Sequence, residues 1–95
     1  MTPLEKSKEI TRMAQRFEEV GRLLVEVEQK KAFKILQFRT DKLCKSYADS
    51  ERMFGVTDDG QNEIAYRFEL KALEKLMSAY KTELRVDELE ARNQI

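Results

Sequence analysis

Lys31, Lys34, Phe38, Lys42 and Lys45 recur every three or four residues, the spacing that stacks side chains on one face of an α-helix. Four ammonium groups with one aromatic ring among them are spaced to follow a phosphate backbone and to stack a base. The same row suits an acidic protein surface. Both are binding chemistries. Catalysis has little to draw on, because the chain has no His and so lacks the side chain that most often moves a proton near neutral pH or ligates zinc. Its one cysteine, Cys44, has no activating partner nearby in sequence and reads as a structural thiol.

One carboxylate pair bears on an enzyme reading. Glu18 and Glu19, followed by Val-Gly-Arg-Leu-Leu, are similar to the Glu-Glu-x-x-Glu opening of the all-α MazG-type nucleotide pyrophosphohydrolases, a resemblance that implies a magnesium site. The next ligand position holds Arg22, and no Glu-x-x-Asp follows. Met-Phe-Gly near the turn is similar to the secreted Trp-x-Gly helical hairpins, but the chain has no Trp and its turn comes later. The expectation is therefore a protein that is not an enzyme and uses no cofactor, metal or small-molecule substrate.

The elements that carry the basic row begin at Thr2. Thr2 stands where a helix N-cap belongs, Pro3 at the first helical position and Glu5 three residues after the cap. From Leu4 to Phe54 there is no Pro and one Gly, Gly21, which predicts one helix over about 3–54, some 75 Å long at ~1.5 Å per residue. Phe54 to Asn62 gathers Gly, Asp, Asn and Thr. Gly55 is the expected stop, about 55–61 the turn, and Asp58 or Asp59 the next cap. Tyr66, Leu70, Leu73, Met77, Tyr80 and Leu84 then alternate four and three, predicting a second helix over about 62–92 with a frayed end at Asn93–Ile95. Acid-to-base pairs four residues apart support both helices: Glu18 with Arg22, Glu26 with Lys30, Asp41 with Lys45, Glu63 with Arg67, and Glu88 with Arg92. The fold class is all-α, a single helical-hairpin domain over 1–95 in a coiled-coil-like or bundle assembly.

Ile10, Met13, Phe17, Val20, Leu24 and Val27 form an apolar seam in the same angular sector as the basic row. Ala32, Phe33, Leu36, Leu43 and Tyr47 lie some 100–200° away, so the apolar face swings round after Val27. A return helix of about 30 residues starting at the turn reaches back only to about residue 25. On that arithmetic the second helix covers Phe33, Leu36, Leu43 and Tyr47. The Ile10-to-Val27 seam is left for a second copy, another protein, or a bend at Gly21. A weaker second face on the return helix, Ile64, Phe68, Ala79, Val86 and Leu89, offers a further contact if several helices bundle.

Composition fits this picture. The chain is 95 residues long, 41% apolar and 38% charged, with three Gly and one Pro, the make-up of long helices. Residues 1–50 carry eleven Lys or Arg against eight acids, residues 51–95 seven against ten. Halves of +3 and −3 suit arms that fold on each other and argue against a nonspecific nucleic-acid binder. No apolar run approaches the ~20 residues that span a bilayer, and a lone Cys fits a reducing compartment. The expected protein is cytoplasmic: a small bacterial or phage regulator, inhibitor or adaptor that binds a larger protein, or itself, through the apolar seam and the adjoining basic stripe. The alternative is nucleic-acid binding through Lys31 to Lys45.

Overall fold

The computed structural model describes residues 1–43 and 45–93. Cys44, Gln94 and Ile95, on which the structural thiol and part of the frayed end were expected, lie outside the described residues. Three helices follow one another: α1 Pro3–Thr40, α2 Tyr47–Gly55 and α3 Asp58–Asn93. Among the described residues there is no strand. Thr2 caps α1 as expected, its Oγ1 accepting the Glu5 N–H at 3.2 Å with Pro3 at the first helical turn.

The first correction is at Thr40. The helix expected over 3–54 breaks into two, because Lys42 takes a left-handed backbone conformation with φ 58°. Around it the Leu43 N–H donates to Phe38 O at 3.0 Å and the Lys42 N–H to Arg39 O at 3.1 Å, a paired closure that satisfies the last carbonyls of a helix and ends it. Such ends usually carry Gly at the left-handed position; a lysine there costs ~1–2 kcal/mol. Ser46 then restarts the chain, its Oγ accepting the Asp49 N–H at 3.2 Å to cap α2.

At the second junction Gly55 closes α2, and the turn is shorter than the 55–61 expected because α3 begins at Asp58. The cap is Thr57 rather than Asp58 or Asp59. Its Oγ1 accepts the Gly60 N–H at 3.1 Å while donating to Phe54 O at 2.6 Å. Gly60 is buried where the two helix ends meet: a Cβ there would sit 2.1 Å from Phe54 O and 2.8 Å from Gly55 Cα. Only a residue without a side chain permits that approach.

These two breaks decide the register. α3 starts beside the C-terminal end of α1 and runs antiparallel along its whole length. Glu63 meets Lys31, Arg67 meets Glu28, Glu69 meets Arg16 and Asp87 meets Lys6. The return helix therefore does not stop opposite residue 25. It covers the Ile10-to-Val27 seam, burying Met13, Val20, Leu24 and Val27 and half-burying Ile10 and Phe17. Tyr66, Leu70, Leu73, Met77, Tyr80 and Leu84, all half-buried, form the α3 side of this core. Ile35, and Phe54 from α2, extend the core to the turn end. The result is a rod of 72 × 18 × 15 Å, and none of its described helices is long and apolar enough to cross a membrane.

Candidate interaction cleft at the turn end

The side chains that the hairpin leaves uncovered are those expected to be its core. Phe33, Leu36, Leu43 and Tyr47 are 67, 64, 62 and 54% exposed, because α3 packs on the opposite side of α1. The Ile10, Met13, Phe17, Val20, Leu24 and Val27 set, expected to await a partner, is the internal seam. The Ile10-to-Val27 stripe is one continuous helix face, with α3 as its occupant, whereas of the second stripe only Ala32, Phe33 and Leu36 lie on α1, Leu43 and Tyr47 standing beyond its end at Thr40.

The basic row is also redistributed. Lys31 is half-buried, its Nζ 3.3 Å from Glu63 Oε1 and 5.8 Å from the centre of the Phe54 ring. Glu63 also lies 3.5 Å from Arg67 Nε, the one pair of the five expected i,i+4 pairs that is observed at ion-pair distance. The Glu63 side chain is 12% exposed, and its Oε2 is buried without a hydrogen-bond partner among the described residues. Lys31 and Arg67 thus compensate a carboxylate that burial would otherwise penalise. Lys31 is a strut between α1, α2 and α3, not a docking cation. Lys42 and Lys45 are exposed but lie beyond the end of α1, so they leave the helical face that Lys31, Lys34 and Phe38 share. Asp41 and Lys45, for the same reason, are not an i,i+4 helical pair.

Lys34 and Phe38 keep a common setting. They line one wall of an open cleft of about 630 Å³ between the last third of α1 and the α2–α3 junction. Met53, Phe54 and Val56 form its apolar floor and far edge, with Asp58 and Asp59 at the start of α3. A second groove continues from it across Lys34 and Asp59 to Gln29, Lys30 and Phe33. Rings, a thioether and a branched chain thus lie between two lysines on one wall and two aspartates on the other. Val56 is 81% exposed and Met53 38%. Tyr47 and Ser46, which start the helix supplying that floor, gave the one sequence signal for it: Ser-x-x-Asp at residues 46–49 is a capping pattern.

Glu18 and Glu19, the pair similar to a magnesium site, are exposed on α1, with Glu19 Oε1 3.3 Å from Arg16 Nη1. Arg16 in turn reaches across to Glu69 at 2.7 Å. Glu19 thus joins a surface ion-pair network in which Arg16 links α1 to α3. Compared with protein-family models, with curated proteins and with solved structures, the chain matches none.

Proposed function

We propose that this protein is a non-enzymatic protein-interaction module, a small cytoplasmic regulator, inhibitor or adaptor of bacterial or phage origin. It acts by seating a segment of a larger protein in the cleft beside α2. The observation that supports this reading is Phe33, 67% exposed, with Lys30 and Lys34 beside it on one groove wall. Exposed large apolar side chains are most numerous at this end of the rod, where Phe33, Leu36, Leu43, Tyr47, Met53 and Val56 lie; such a concentration marks a contact surface, and aromatic anchors supply most of the energy of such contacts. An amphipathic helix fits best: its apolar face meets Phe33, Phe38 and Val56 while carboxylates on its flank reach Lys30 and Lys34. The Ile10-to-Val27 seam plays no part, being occupied by α3.

The test is recovery of a partner by wild-type protein, by Phe33→Asp and by Lys34→Glu, with melting temperature measured on each. A protein retained by the wild type and lost from both variants at unchanged melting temperature supports the reading. Equal recovery by all three overturns it. Nucleic-acid binding remains the alternative, now drawing on Lys34, Lys42 and Lys45 without Lys31. It requires retention of RNA or DNA at low salt that falls steeply as salt rises, and no retention at low salt removes it.

A further inference from the structure

The outer side of α3 carries a second seam. Ile64, Phe68, Val86 and Leu89 are 61, 76, 47 and 51% exposed. At about 100° per residue all four lie within ~40° of the line opposite the seam that α3 turns towards α1. Lys71, Lys75, Ala79 and Thr82 fill the same line between them and are exposed too. This line is its own complement when a second copy lies antiparallel and centred within half a residue of Met77. Ile64 then faces Leu89, Phe68 faces Val86, Lys71 faces Thr82 and Lys75 faces Ala79. Apolar side chains meet at both ends, and in the middle each lysine lies over a small residue that lets its stem reach the rim. Parallel pairing in register instead sets Lys71 against Lys71 and Lys75 against Lys75.

The surface area leaves room for an occupant. The chain exposes 7429 Å², whereas a compact monomer of 11.2 kDa exposes about 5,700 Å². The surplus of about 1,700 Å² belongs to a rod of 72 × 18 × 15 Å, whose long face is ample for the ~800 Å² that each partner contributes to a stable interface.

We propose that a second copy of this chain covers the outer face of α3, giving a two-fold antiparallel dimer in which α3 pairs with α3 at the centre and each α1 lies outside. Self-pairing of one patch closes the assembly at two copies. Phe33 and Leu36, on the far side of α1, stay exposed in the dimer, so the inference stands on α3 alone and does not rest on the cleft.

Light scattering on the full chain over a concentration series tests it. The expected mass is twice 11.2 kDa, falling to that of one chain in Phe68→Glu with an unchanged circular dichroism spectrum, since Phe68 takes no part in the hairpin core. A one-chain mass at every concentration, or a dimer unaffected by Phe68→Glu, overturns the proposal. Disulfide trapping decides the geometry without relying on that variant. With Cys44→Ser in every chain, Ile64→Cys mixed with Leu89→Cys should cross-link many-fold faster than either alone. Faster cross-linking of Ile64→Cys with itself would show parallel pairing and overturn the proposal.

Discussion

Lys6 Nζ lies 2.8 Å from Asp87 Oδ2, across 81 positions of sequence. That contact places the far end of α3 beside the first turn of α1. Nitroxide labels at the exposed positions Lys8 and Arg85 should accordingly give a distance near that of two packed helices, under about 20 Å once label length is added to an ~8–10 Å axis separation. Were α3 to end beside residue 25, the distance would be about 25 Å longer, and pulsed electron resonance separates the two.

The same pair makes a statement about pH. The hydrogen bond to Asp87, opposed by burial and helped by the charges of Asp87 and Glu83, raises the Lys6 ammonium above its ordinary 10.5. A raised ammonium adds stability that is fully present below the unfolded value and is lost as pH climbs through the folded one. The difference in melting temperature between wild type and Lys6→Met should hold steady at neutral and mildly alkaline pH, then shrink as pH rises past about 10.5. A difference unchanged through that range would show that the pair contributes nothing through charge.

Two glycines should respond in opposite directions. Gly60→Ala drives a Cβ into Phe54 O, backbone against backbone, and should cost about 3 kcal/mol or more. Gly21 lies inside α1 with no atom within 4 Å of a Cβ built on it, so Gly21→Ala should add about 0.5–1 kcal/mol. Urea denaturation midpoints measure both.

Truncations on the two faces of α1 discriminate the seams. Leu24 is 9% exposed, and Leu24→Ala should cost about 2–5 kcal/mol. Phe33→Ala should stay within about 0.5 kcal/mol, despite removing the larger side chain. The reverse order would restore the arrangement in which α3 packs on Phe33 and Leu36.

The break between α1 and α2 has its own signature. Ser46→Ala removes the cap of α2 and should cost about 1 kcal/mol. Lys42→Gly relieves a left-handed backbone and should gain about 1 kcal/mol. Chemical denaturation of the two variants against wild type reads both signs.

Part of this architecture was legible residue by residue. Thr2-Pro3 marks where α1 begins, the four-and-three spacing of Ile10 to Val27 and of Tyr66 to Leu84 marks both faces of the core, and Gly55 marks the end of α2. The break at residues 41–46 was not legible from breakers, because a lysine occupies the position where Gly ordinarily ends a helix; only Ser46 with Asp49 signalled a restart. The cleft depends on that break, since without it α2 is merely more of α1 and Phe54 does not fold under Lys31.

By itself the sequence determined that the chain is helical, that it turns back near Gly55, and that Ile10 to Val27 and Tyr66 to Leu84 are apolar helix faces, since periodicity states which face is apolar. Only the tertiary structure decided which face meets which. An apolar stripe specifies burial without naming a partner, and the register of an antiparallel pair follows from where its helices start and stop. Ending α1 at Thr40 instead of Phe54 moved the start of α3 beside the last third of α1 and let its far end reach Lys6. With that shift the seam expected to be an interface became the core, and Phe33 and Leu36 became surface.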